Sequence, residues 1–217
     1  LALAAASHSG GPEHVAGAEQ LLAQHGRTSA DLRCAIGMPI GEEERRAYVR
    51  SGGEPARLVT DCSGKHAAFI ATSAINDWPI DTYLDATHPV QRACRAAVER
   101  LAGETVASVS IDGCGAPLFA LTLTGLARAF RAMAIASSST PEGRVADAMR
   151  AHPDMVGGHR RDVTVAMQQV AAVLEAWGAP AAAIAALPMP QVLGGGVSQG
   201  TVAQSVQLRS ALANLPR

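Results

Sequence analysis

Val106-Ala107-Ser108-Val109-Ser110-Ile111-Asp112-Gly113-Cys114-Gly115-Ala116-Pro117 is the stretch on which the fold class turns. Residues 106–111 alternate apolar and small polar side chains, the period-two pattern of a half-buried strand. Asp112 to Gly115 then break the strand into a turn, with a glycine on each side of Cys114 allowing close backbone approach. Most of the chain around this strand has helical spacing. Pro89–Ala102 is amphipathic, with Pro89 at a favoured first-turn position. Residues 118–123 fit a second strand or a helix start, while 125–136, Pro141–Ala151, 165–177 and 180–187 read as helices. Strands and helices mixed without a regular βαβ rhythm point to an α+β or mixed-sheet α/β fold.

Working toward the N-terminus, Asp61-Cys62-Ser63-Gly64-Lys65-His66 opens an apolar helical run that reaches residue 75. Residues 37–55 read as loop, with a charged helical patch at 42–50 that suits a mobile cover. Thr28 or Ser29 is placed to cap a short helix around Asp31. Residues 13–25 carry Val15, Ala18, Leu21 and Leu22 on one helical face, ended by Gly26. Ahead of them, residues 1–6 read as a buried strand that stops at the polar turn Ser7-His8-Ser9-Gly10-Gly11-Pro12. The run Gly194-Gly195-Gly196 reads as a turn.

Composition bounds the class. The 217 residues are 48% hydrophobic, enough for a real core, and one domain of this length is ordinary. Abundant alanine with 3% aromatics favours closely packed helices over a sandwich. A formal net charge of −1 with scattered signs gives no stripe for nucleic acid. No apolar run is long enough to span a bilayer. With no secretory signal, Cys34, Cys62, Cys94 and Cys114 read as reduced thiols, which fits a cytoplasmic protein.

Three short motifs carry possible chemistry. Cys62 at a helix start feels the positive end of the helix dipole, and Lys65 adds a cation, so both favour a thiolate able to attack or to bind zinc. The plain alternative is a buried structural thiol beside a surface lysine. Cys114 pairs with this motif if the two turns meet. Asp112 there orients a substrate amine or a ligand, and the plain reading is a tight turn with Cys114 as small filler. Ser7 ends an apolar strand, where an exposed hydroxyl is a nucleophile if a base reaches it. Strand alternation sends His8 to the other face. The plain reading of this region is a helix N-cap. His66 is a partner behind the metal donors or a helix-surface residue, and His88 before Pro89 is a cap.

Four ordered motifs then resemble one family. Residues 6–14 (Ala6-Ser7-His8-Ser9-Gly10-Gly11-Pro12-Glu13-His14), Cys62-Ser63-Gly64-Lys65-His66-Ala67, His88-Pro89-Val90-Gln91 and Ile111 to Pro117 are similar to the class 3 L-asparaginases, also called the asparaginase II or thermolabile family. The resemblance is strong over residues 1–158, and 190–196 resembles the family's C-terminal loop. It implies a sheet flanked by helices, as in serine β-lactamases and glutaminases, and a single asparaginase-like domain over residues 1–217. It implies hydrolysis of L-asparagine to L-aspartate and ammonia by a lysine-activated serine beside a zinc ion, in a homodimer. Carried over by motif, Cys62, Lys65 and Cys114 are the zinc ligands, and Ser7 is the nucleophile with Ser9 second. Asp112, Ser9 and His66 are the residues around substrate.

Two departures accompany the resemblance. The family's Arg-Ser-x-x-Lys segment is absent, and so is its Lys-x-Gly-Ala-Glu-Gly segment, expected just after residue 164. Lys65 is the single lysine of the sequence. The expectation is that both segments belong to the full protein. An inactive zinc-binding relative, or a glutaminase-type amidase on the same fold, is the alternative.

Overall fold

The structure is a computed structural model that describes residues 7–158 and the strands at 191–194 and 197–201. The expected strand at 1–6 and the expected helices at 165–177 and 180–187 lie outside the described residues. The chain divides into two compact units, Leu1–Gly158 and His159–Arg217.

In the first unit the described elements are α1 (Pro12–Gln24), a 3-10 turn (Ser29–Asp31), α2 (Glu42–Arg50), α3 (Ser63–Ile75), α4 (Pro89–Ala102), β1 (Ser108–Ile111), β2 (Pro117–Ala120), α5 (Leu123–Ala134), α6 (Pro141–Ala151) and α7 (Pro153–Gly157). β1 and β2 are an antiparallel pair, Ser108 opposite Ala120 and Ile111 opposite Pro117. The choice left open at 118–123 resolves as a strand followed by a helix start. Mixed helix and antiparallel sheet is compatible with the α/β class. In the second unit, β3 (Gln191–Gly194) pairs antiparallel with β4 (Val197–Thr201), with an irregularity between Gln191 and Leu193.

The element boundaries follow local chemistry. Thr28, Thr122 and Thr140 each present a hydroxyl that accepts an amide of the first turn they precede. His88 does the same for α4 with an imidazole: Val90 N–H donates to Nδ1 at 3.2 Å, and Nε2 reaches Pro79 O at 2.8 Å. Gly103 ends that helix in the left-handed region, at φ 66°.

The core lies where α1 packs on α3. Ala18, Leu21 and Leu22 from α1 meet Ala67, Ile70 and Ala71 from α3, and Leu32, Tyr83 and Val90 close the cluster. Alanines at the contact let the two helices approach closely, so the abundance of alanine becomes packing. Leu22 and Ile70 are fully buried, and truncating either to alanine costs roughly 2–5 kcal/mol. This contact sets the site, because Cys62 caps α3 and the Ser7 turn leads into α1.

Candidate active site

The start of α3 and the turn after β1 meet. Cys62 is the residue before the first turn of α3 and makes no side-chain cap. One turn on, Lys65 extends its Nζ to 3.4 Å from Asp112 Oδ2. Cys114 Sγ lies 3.5 Å from the same carboxylate oxygen. Cys62, Lys65 and Cys114 lie near enough to act on one another electrostatically. The turn that makes this possible needs Gly115, which sits at φ +90°, a conformation costly for other residues.

The electrostatics correct one expectation. Helix dipole and Lys65 were expected to favour a Cys62 thiolate. Burial outweighs them and pushes the thiol up to about 12, with Lys65 pulling the other way. Cys62 is therefore a neutral thiol at neutral pH. Burial also acts on Lys65, lowering it, but the anionic forms of Cys62 and Cys114 and the Asp112 carboxylate leave the net shift upward. The Gly113 amide, with Lys65 beyond it, holds the Asp112 carboxyl below its ordinary value. Lys65 is a cation paired to a carboxylate.

Ser7 joins these groups. It is exposed, while His8 and Ser9 beside it are completely buried. It lines a cleft of about 460 Å³ together with Cys34, Asp61, Cys62, Asp112 and Cys114. Ser7 is exposed and His8 buried, but Ser9 is buried with His8, so strand alternation does not run through this turn. Ser9 and His66, expected near substrate, do not line this cleft. Ser9 Oγ is buried without a hydrogen-bond partner among the described residues, and His66 Nε2 is likewise.

His66 is held by Tyr83. The Arg33 amide donates to the Tyr83 hydroxyl at 2.8 Å, and that hydroxyl reaches His66 Nδ1 at 2.7 Å. The Tyr83 oxygen has a second lone pair, so the hydroxyl can donate to His66 Nδ1 or accept from it, according to the tautomer. Burial, helped by the Lys65 charge, lowers His66 to about 4. Sequence reasoning missed Tyr83, the anchor of this arrangement, since an isolated tyrosine in a turn carries no motif. It also missed Cys34, whose buried thiol contacts Arg57 O at 3.5 Å and Thr60 Oγ1 at 3.7 Å and whose side chain faces the cleft.

The L-asparaginase II family model matches residues 1–206. The chain belongs to the L-asparaginase II family. No curated protein matches it. Membership implies amide hydrolysis on a small-molecule substrate, asparagine. Among the described residues no helix is long and apolar enough to cross a membrane.

The donor set can be tested for zinc. Among the described residues no three His, Cys, Asp or Glu side chains gather as a metal site. The donors that this cluster would offer an ion are the sulfurs of Cys62 and Cys114 and the nitrogen of Lys65. Two thiolates and a nitrogen suit a borderline-soft tetrahedral ion and not magnesium or calcium. The residues fit the ion once their protons leave. All four cysteines are free thiols, so neither sulfur is tied up in a disulfide.

Proposed function

We propose that the protein is a class 3 L-asparagine amidohydrolase in which Ser7 is the nucleophile. One observation carries the reading: Ser7 is exposed on the cleft that also holds Cys62, Asp112 and Cys114, while its neighbours are buried.

Ser7 Oγ attacks the side-chain amide carbon. The hydroxyl proton passes to a base and then to the departing nitrogen, so the C–N bond breaks with release of ammonia. The acyl-enzyme ester is then cleaved by water to give L-aspartate. Backbone amides hold the oxyanion between these steps. Asp112, ionised and facing the cleft, takes the substrate α-ammonium. His66 acts from behind the cleft wall, fixing the turn of α3 that presents Lys65.

Zinc held by Cys62, Lys65 and Cys114 would polarise and orient the substrate. To hold it, the two thiols and the Lys65 ammonium give up their protons. The reading extends to a serine β-lactamase-like sheet flanked by helices, to a homodimer and to a cytoplasmic site of action.

A second reading has its own observation. Lys65 is the only lysine among the 217 residues and is already paired with Asp112. A relative that binds zinc without turnover fits that count, with the same cysteines and no lysine free to activate Ser7. Ammonia release from L-asparagine by the full-length protein separates the two. Turnover that Ser7→Ala abolishes supports the hydrolase, and zinc binding without turnover supports the alternative.

A further inference from the structure

The turn that carries Ser7 is held from beneath by two stacked imidazoles. His8 and His14 are 0% and 1% exposed. Their ring centroids are 4.6 Å apart and the planes differ by 16°. Both rings take a backbone amide at Nδ1, and Glu13 Oε1 also lies 3.5 Å from His14 Nδ1. The Gly10 amide donates to His8 Nδ1 at 3.2 Å, and the Gly11 amide donates to His14 Nδ1 at 3.2 Å. A nitrogen that accepts carries no proton, so each neutral ring has its hydrogen on Nε2. From Nε2, His8 reaches Ser63 Oγ at 3.3 Å and His14 reaches the Asp154 carbonyl oxygen at 3.0 Å. One short turn is thus tied to the start of α3, to α7, and to α1, which bears His14.

Ser63 and His8 have the partners of a nucleophile and its base but not the chemistry. Both are completely buried, and the His8 Nε2 already carries its proton, so it accepts none from Ser63. The arrangement fixes geometry instead. The backbone adds two bonds to the same frame, His8 N–H to Asp61 O at 3.0 Å and Gly41 N–H to Ser9 O at 2.9 Å. With His8 clamped on the buried side, its predecessor is left facing the cleft.

We propose that the stacked His8–His14 pair is the positioning element for Ser7, acting as one unit of two Nε2-protonated imidazoles that aim the hydroxyl into the cleft. The inference rests on the reading of Ser7 as nucleophile. Asparagine places its amide oxygen near the imidazole Nδ1 position, so His8→Asn and His14→Asn keep an acceptor for the Gly10 or Gly11 amide while losing the stack and the Nε2 bond. Steady-state kinetics on L-asparagine, with melting curves, are measured for the full-length protein, both single variants, the double variant and Ser7→Ala. The expected result is folded single variants with kcat lower by about tenfold or more and KM nearly unchanged, since a displaced nucleophile costs the chemical step. The double variant should lose no more than the worse single, because the rings act together. Folded single variants with wild-type kcat, or single losses that multiply in the double variant, overturn the proposal. If the unmodified protein itself releases no ammonia, the nucleophile reading has failed separately. Nitrogen NMR of the unmodified protein then decides the pair, as it does if the variants do not fold. Neutral Nε2–H tautomers for both rings at neutral pH support it, and an Nδ1–H ring at either position overturns it.

Discussion

Lys65 Nζ lies 3.4 Å from Asp112 Oδ2, so the first turn of α3 and the turn after β1 are joined by opposite charges. The two side chains are 28% and 43% exposed, and a half-exposed pair of this kind contributes at most about 1 kcal/mol to stability. Its value is positional. It brings the sequence's single lysine beside Cys62 and Cys114, and it holds the Asp112 carboxylate at the cleft.

Zinc binding should expel protons. Cys62 is a thiol and Lys65 an ammonium before the ion arrives, and both must be deprotonated to ligate. Affinity should therefore fall as pH drops, and the heat of binding should change with the ionisation enthalpy of the buffer. Calorimetry in two buffers checks this. Zinc content by mass spectrometry should collapse in a Cys62→Ala, Cys114→Ala double variant. Undiminished zinc there removes the site.

The two motifs were readable because each combines a sulfur with glycines at fixed spacing, and the strand and helices around them follow from periods of two and 3.6. What was not readable has a physical cause. The thiolate expected at Cys62 depended on dipole and charge, which a sequence shows, but burial decided the matter, and burial depends on how α3 packs. The Tyr83 hydroxyl reaches His66 across 17 positions, and the His14 ring reaches Asp154 across 140. No local pattern encodes such pairs. Ser9 and His66 sit within the right motifs, yet the turn into α1 and helix packing bury their side chains.

Gly10→Ala should damage the Ser7 turn. Gly10 adopts φ +82°, and an added Cβ would lie 2.4 Å from the Val59 carbonyl oxygen. The strain and the clash together should cost about 1–3 kcal/mol. A melting curve and a turnover assay on the variant check both consequences. Unchanged stability would mean that the turn is free to relax.

Ser7→Ala and Ser9→Ala should behave oppositely. Ser9 Oγ is buried with no partner among the described residues, so removing it should leave stability within about 1 kcal/mol or raise it. Turnover should persist. Ser7→Ala should remain folded and lose turnover by several orders of magnitude. Ammonia assays on the two purified variants separate the serines, and the reverse outcome would make Ser9 the nucleophile.

Tyr83→Phe should destabilise the protein more than its size change suggests. The hydroxyl accepts from the Arg33 amide and shares a hydrogen bond with His66 Nδ1. Without it, two groups in a buried environment lose their partner, at a cost of about 1–3 kcal/mol. Denaturant unfolding with an unchanged slope and a lower midpoint is the expected result. An unchanged midpoint would show that the hydroxyl bonds are dispensable.

The most direct measurement of the central claim is ammonia release by the zinc-loaded, full-length protein given L-asparagine, with L-glutamine and Ser7→Ala as comparisons. The account predicts L-aspartate and ammonia in equal amounts from asparagine, far less from glutamine, and none above background from Ser7→Ala. No release from asparagine, or release that Ser7→Ala leaves intact, contradicts it.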